Sequence, residues 1–325
     1  MVVRAARVSD MRIVFCGTPE FAVPSLLWLT AEPGFSVEAV ITQPDRPRGR
    51  GHQVSSSPVK EAALRAGLRV YQPETIKSES AEQFLNNLAP DAVVIIAYGQ
   101  IIPARLLTIP RLGWINLHAS LLPRYRGAAP IHWAIATGET STGLTTMVID
   151  AGLDTGPILL QRAIEIGPDE TAPELSARMS EAGAPLVVES LLRLDLGKIA
   201  PQPQDQTAAS YAPVLKKKDG RIEWARPAQQ IYNRMRGFAP WPGAYTMFRG
   251  QTCHLWGRPA EGAAAEGHFA PGEIVASAKD VYVVCGEGTC LRLEFVQLEG
   301  RKRVSAREFA NGAHFTPADR FAESA

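Results

Sequence analysis

"INLHASLLPRYRGAAPIH" (residues 115–132) begins as a strand and then breaks into Pro, Arg and Gly. In an extended chain, residues two apart share a face. Ile115 and Leu117 can therefore face a core while Asn116 and His118 point together the other way. Such a run needs a sheet to lie in, and the flanking sequence supplies one. "RIVFC" (12–16), "VEAVIT" (37–42), "DAVVIIAY" (91–98), "WINLHA" (114–119) and "GLTTMVID" (143–150) read as strands. Helical periodicity fits roughly 20–31, 58–66, 80–89, 128–137 and 171–196. This alternation predicts an α/β domain, a parallel sheet with helices on both faces. "DAVVIIAY" is apolar almost throughout, as a strand covered on both sides must be.

Beyond it, "GKIAPQPQDQTAAS" (197–210) has no period and reads as a linker. One helical stretch ("ARPAQQIYNRMRGF") then leads into short strands divided by Gly: "YTMF", "TCHLWG", "GEIVAS", "VYVVCG" and "CLRLEFVQL". That pattern predicts a small β-barrel or sandwich. The 325 residues suffice for two such domains. We divide the chain into an extension (1–10), a first domain (11–196), a linker (197–214) and a second domain (215–325).

The extension carries two Arg and no apolar stretch, so it reads as disordered or artefactual, not as a secretory signal. No run has the ~18 apolar residues of a membrane span. Cys16, Cys253, Cys285 and Cys290 form no CxxC and have no His at zinc spacing. They read as buried reduced thiols, which suits a cytoplasmic protein. Charge is split unevenly. Residues 1–205 hold 18 Lys and Arg against 21 Asp and Glu, a net −3; residues 206–325 hold 16 against 12, a net +4. A basic second half hints at a polyanionic partner.

Ligands of open α/β sheets bind beyond the carboxyl ends of strands. Asn116 and His118 end one strand, and "AGLDTGP" puts Asp154 after the next. If those strands are neighbours, the three converge. An Asn N–H can donate to a developing oxyanion, a His can move protons near neutrality, and a carboxylate can orient that His. The set suits acyl transfer to an amine from an already activated donor. Blander readings stay open: Asn116 and His118 as hydrogen-bonding loop residues, Asp154 as a turn residue between glycines, and Asp150 as a rival carboxylate that caps the loop. Rival chemistries lack their motifs. "FCGTPEF" (15–21) is neither GxGxxG nor a P-loop, and there is no GxSxG.

Two loops look suited to anions or to a flat ligand. "TQPDRPRGRG" (42–51) sets Arg46, Arg48 and Arg50 among Pro and Gly, either as a solvated loop or as a clamp for phosphates or an RNA end. "SLLPRYRGAAP" (120–130) adds Arg124 and Arg126, with Ser120–Pro123 offering backbone groups to a heterocycle.

"GTPEFAVPSL", "TQPDRPRGRG", "SPVK", "INLHASLLPRYRGAAPI", "GLDTGPIL", "YAPVLKKKDGRIEW" and "WPGAYT" occur in order. With them the chain resembles the folate-dependent formyltransferases from about Met11 to about residue 320. The arginine loop and the "KKKDGRIEW…WPGA" pattern point to their tRNA-acting members, the methionyl-tRNA formyltransferases. The resemblance implies a Rossmann-like catalytic domain followed by an OB-like barrel. It also implies formyl transfer from 10-formyltetrahydrofolate to the α-amino group of methionyl initiator tRNA, with no metal. Carried over by position, Asn116 and His118 polarise the formyl group and Asp154 supports His118 and proton removal. Ser120, Leu121, Leu122 and Pro123 contact folate. Arg50 meets the acceptor end of the tRNA, helped by Arg46 and Arg48. Lys216, Lys217 and Lys218, just past the linker in the basic half, read either as following the RNA backbone or as a solvated helix or turn entry. A monomer without membrane contact is expected.

Three features depart from the family pattern. His132 stands where Gln is usual and reads as a helix-surface or pocket-wall residue; Ala119 replaces a frequent Gly; the extension has no counterpart. Trp224, Trp241 and Tyr245 read as core or turn packing. Two other functions compete: a formyltransferase for a small amine such as an amino-sugar nucleotide, and a non-catalytic RNA-binding protein on the same fold. The basic second domain argues against the first, and the intact Asn116, His118 and Asp154 set against the second.

Overall fold

The computed structural model describes residues 10–48, 53–260, 269–277, 279–316 and 319–322, with the backbone alone at 47, 48, 53 and 54. The extension up to residue 9, and Arg50, lie outside the described residues.

Chain contacts define two compact units. The first takes the chain up to Pro130, Ser141–Glu165 and Ser176–Ala212; the second takes Ile131–Thr140, Ile166–Leu175 and the chain from Pro213 onward. The stretch expected as a linker thus belongs in large part to the first unit.

The first unit opens with β1 (Met11–Gly17), α1 (Val23–Ala31) and β2 (Phe35–Ile41), then a hairpin of β3 (Arg46–Arg48) and β4 (Gln53–Ser55). α2 (Pro58–Arg65), β5 (Val70–Tyr71), α3 (Glu79–Leu88), β6 (Ala92–Ile96), α4 (Ala104–Leu107) and β7 (Trp114–His118) follow. Local chemistry fixes the helix starts. Ser57 accepts from Lys60 N with Pro58 at the first turn of α2, and Ser78 accepts from Ala81 N at the start of α3. After α5 (Pro130–Ala136) come β8 (Ser141–Val148), β9 (Ile158–Glu165) and α6 (Ala172–Asp195). α5 and the first turn of α6 count with the second unit.

The seven-stranded sheet runs β5-β2-β1-β6-β7-β8-β9. It is parallel as far as β7. The expectation of a parallel sheet throughout fails at its far side, where β7 pairs antiparallel with β8 and β8 with β9. β6 is buried at every position, as its apolar run required.

In the second unit, α7 (Ala228–Gly237) precedes β10 (Tyr245–Phe248), β11 (Gln251–Pro259), β12 (Ile274–Ala276), β13 (Val281–Val284), β14 (Cys290–Leu298), β15 (Val304–Ser305) and α8 (Ala306–Ala313). The strands form an antiparallel, OB-like curled sheet in the order β10-β11-β14-β13-β12, with β15 on β14. Trp224, Leu255, Val283, Leu291, Phe309 and Phe321 sit in its core. Trp224 packs as expected and donates through Nε1 to Thr246 Oγ1 at 3.1 Å. Trp241 lies in a turn and is 55 % exposed. All four cysteines are buried and unbonded to one another, and burial pushes the Cys253 and Cys285 thiols up to about 12. Among the described residues no helix is long and apolar enough to cross a membrane.

Candidate active site

β7 presents Asn116 and His118 on one side of the sheet, as their spacing requires. His118 is 6 % exposed, and its Nε2 lies 2.9 Å from the carbonyl oxygen of Tyr125. A carbonyl only accepts, so Nε2 carries the hydrogen and Nδ1 is the open nitrogen of the neutral ring. Facing Nδ1, at 3.7 Å, is Asp154 Oδ2. That oxygen also accepts from Gly127 N at 2.8 Å. The Asn116 side-chain amide has no hydrogen-bond partner among the described residues and is only partly buried. An imidazole held between a carbonyl and a carboxylate, beside an open amide, can accept a proton and stabilise an oxyanion together.

The three residues converge, though not by the expected route. β8 is antiparallel to β7 and its Val148 pairs with Ile115, so residues 149–157 leave the sheet about 10 Å short of His118. The segment runs back to reach it. Asp150 accepts from Gly152 N at 2.9 Å and Thr155 Oγ1 at 2.7 Å, which makes it the loop's cap. Gln204 Nε2 donates to the carbonyls of Asp154 (2.9 Å) and Gly156 (2.7 Å). A Cβ on Gly156 would lie 1.8 Å from the Val148 carbonyl oxygen, so the return needs glycine there. Asp154 and Tyr125, the two residues that face the His118 ring, both have left-handed backbones, at φ 51° and 58°. A non-glycine residue costs about 1–2 kcal/mol there. Strain of this kind collects where geometry serves function.

Arg126 corrects an expectation. Offered as an anion-binding residue, it is 2 % exposed and occupied inside the chain. Its Nη2 donates to Gln204 Oε1 at 2.6 Å and its Nη1 to Gln206 Oε1 at 2.8 Å. Arg126 thereby holds the glutamine that holds the Asp154 loop. The sequence signal was present, in the alternating Gln202, Gln204 and Gln206 of the supposed linker, but polar, Pro-rich composition masked it.

Ser120–Pro123 is tied to the antiparallel side of the sheet. Ser120 is fully buried and donates to Arg124 O at 2.6 Å. Thr145 Oγ1 donates to Ser120 O at 2.7 Å and accepts from Leu122 N at 3.1 Å; Gln161 Nε2 donates to Leu122 O at 2.9 Å. These backbone groups are engaged within the chain, and Leu121 and Pro123 are the half-buried members of the stretch.

A cleft of about 850 Å³ opens beyond the carboxyl ends of β1, β2 and β6, lined among others by Thr18, Gln43, Arg46, Thr75, Tyr98 and Gln100. β6 links it to the strand that carries Asn116 and His118: Ile95 pairs with Asn116, and Ala97 and Tyr98 form the cleft wall. Gln43, Tyr98 and Gln100 were not singled out from sequence, although "AYGQ" directly follows a fully buried strand. Arg46 reaches the cleft from the hairpin. Asp45, beside it, bonds Lys60 Nζ at 2.5 Å and Gln72 Nε2 at 2.9 Å, and these partners hold its carboxyl below the usual range. Nothing is described of the Arg48 side chain.

In the second unit, Lys216, Lys217 and Lys218 are all exposed, with Lys216 N bonded to Asp219 Oδ2 at 2.6 Å. His132 lies on α5, half-buried, and burial lowers its pKa. Among the described residues no His, Cys, Asp and Glu side chains gather as a metal would need.

The formyl transferase family model matches residues 11–191, and the model for the formyl transferase C-terminal domain matches 214–314. The chain belongs to the formyl transferase family. It is 53 % identical to the methionyl-tRNA formyltransferase of Solibacter usitatus, over 96 % of this chain and 99 % of that one. It is 51 % identical to the methionyl-tRNA formyltransferase of Koribacter versatilis, over 95 % and 98 %. Among solved structures, an N-formyltransferase from Helicobacter canadensis in complex with folinic acid and dTDP-3-aminofucose superposes with TM-score 0.61 at 17 % identity, covering 87 % of this chain and 98 % of that one. At that identity the likeness to another formyl transferase is one of fold alone.

Proposed function

We propose that the chain transfers the formyl group of 10-formyltetrahydrofolate to the α-amino group of methionyl initiator tRNA. The observation that carries this reading is the His118 ring, fixed by the Tyr125 carbonyl with Nδ1 turned to Asp154, next to the open amide of Asn116. The roughly half-identical curated relatives, matched along nearly their whole length, support the choice of acceptor.

In this mechanism the amine nitrogen attacks the formyl carbon, forming the new C–N bond and placing negative charge on the formyl oxygen. Asn116 donates an N–H to that oxygen. His118 Nδ1 accepts the proton that the attacking nitrogen gives up, and the imidazolium is stabilised by the Asp154 carboxylate. Collapse breaks the bond from the formyl carbon to N10 of the folate, and N10 takes a proton in its turn. Ser120–Pro123, through Leu121 and Pro123, borders the folate. Arg50 meets the acceptor end of the tRNA, helped by Arg46 and Arg48; Lys216, Lys217 and Lys218 follow its backbone.

Single-turnover formylation tests the reading, with purified protein, 10-formyltetrahydrofolate and methionine-charged initiator tRNA, against uncharged tRNA and free methionine. Product on charged tRNA alone is the expected result. Transfer to an amino-sugar nucleotide instead, with none to tRNA, would move the chain to the small-amine branch.

A further inference from the structure

The outward face of the second unit's sheet carries a row of rings. Along β11, Cys253, Leu255 and Gly257 turn inward, which leaves His254 and Trp256 on the other side. Trp256 pairs across the strands with Phe295 of β14, which is 41 % exposed. His254 pairs with Tyr245 of β10. Ring centres step from Tyr245 to His254 at 5.9 Å and from His254 to Trp256 at 6.4 Å. At the far end the Arg303 guanidinium stands 5.2 Å from the Trp256 ring and 5.0 Å from that of Phe295. Arg303 is exposed and has no ion-pair partner among the described residues; Arg301 and Lys302 beside it are exposed as well.

The geometry points to this face as a stacking platform for unpaired nucleotides of the RNA substrate, with bases against Trp256 and Phe295 and a phosphate on Arg303. An apolar protein partner would leave the free guanidinium buried without a counter-charge. A lone anion would have no use for the rings. A nucleotide needs both, a π-face for its base and a cation for its phosphate, and this pairing recurs on proteins that bind single strands. The face lies on a sheet of the OB-like kind, whose exposed surface is a frequent site for such strands. This inference rests on the reading of tRNA as acceptor and extends it from backbone charge to base contact.

Trp256→Leu, Trp256→Phe and Arg303→Ala test it, through binding of a fluorescein-labelled single-stranded RNA hexanucleotide and through KM for methionyl initiator tRNA at saturating folate. Trp256→Leu should weaken both about tenfold. Trp256→Phe, which keeps a ring, should restore most of the loss, and folate binding should stay as in the parent. Arg303→Ala should weaken both and flatten their salt dependence, and it serves alone if the Leu variant does not fold. Parent-like RNA binding by Trp256→Leu, or by Arg303→Ala where that stands alone, would overturn the platform. A parent protein that binds the hexanucleotide but formylates no tRNA would leave the platform standing and fail the acceptor instead.

Discussion

At the scale of the residue, the site turns on how one imidazole is held. Tyr125 O fixes which nitrogen of His118 is protonated, and Asp154 faces the other. His118→Ala should therefore lower kcat by about 10²–10⁴-fold with little change in KM for tRNA, measured in steady-state formylation. Asp154→Asn separates charge from shape, because an amide oxygen can still accept from Gly127 N. It should keep folate affinity while kcat falls more than about tenfold; parent-like turnover would reduce Asp154 to the turn residue its glycine neighbours also allow. Arg126 acts one residue further out. Arg126→Leu strands the side-chain oxygen of Gln204 in the interior, and leaves that of the exposed Gln206 to solvent. Urea unfolding should show a loss of about 1–3 kcal/mol. The freed Asp154 loop should also lower kcat, which Arg126→Lys would rescue only in part, since an ammonium cannot span both glutamines. The grouping of Asn116, His118 and Asp154 was legible because two share a strand and the third sits in a glycine turn. Arg126 was not, because sequence distinguishes a buried arginine from an exposed one only when its partners are known, and these lie some eighty residues away.

At the scale of the element, the strands and helices of the first unit were legible from periodicity, while the direction of β8 was not. Between β7 and β8 lie more than twenty residues including a helix, enough for a parallel crossover, so nothing local forbids the wrong direction. Recognition of Ile158–Glu165 as a strand would have settled the next pair. Nine residues separate β8 from β9, too few for a parallel return of a dozen or more. Pro and Gly hide the two three-residue strands of the basic hairpin, so its sequence reads as an irregular loop. Its root is built: Asp45 is held by Lys60 and Gln72, and Thr42 Oγ1 meets Ser57 Oγ at 2.8 Å. Asp45→Asn should raise KM for tRNA several-fold and leave folate binding unchanged, because Arg46 loses the anchor beside it. The same variant carries a pH signature. Asp45 titrates lower folded than its ordinary value near ~3.9, so its contribution to stability is full above that value. The contribution is lost as pH falls through the folded pKa. The Tm difference between parent and variant should accordingly close below about pH 4, in a thermal melt run from pH 3 to 7.

At the scale of the whole molecule, the placement of charge matters more than its sum. Residues 1–205 are net negative and 206–325 net positive, although the entire chain sums to +1. A protein whose formal charge nearly cancels has little general attraction for RNA, so affinity must come from where the positive charge is placed. Local placement was readable as the lysine run 216–218; the "RKR" at 301–303 carries no such signal by itself, because strand register decides that Trp256 and Phe295 share a face beside it. Each phosphate a lysine neutralises releases condensed counterions, and log affinity then falls linearly with log salt. Removal of all three charges, Lys216, Lys217 and Lys218 each to Ala, should weaken tRNA binding at low salt and converge on the parent as salt rises. The slope of log Kd against log salt should drop by about one for each phosphate that is no longer neutralised. Parallel lines, weaker binding with an unchanged slope, would mean the lysines support the turn that Asp219 closes rather than touch RNA.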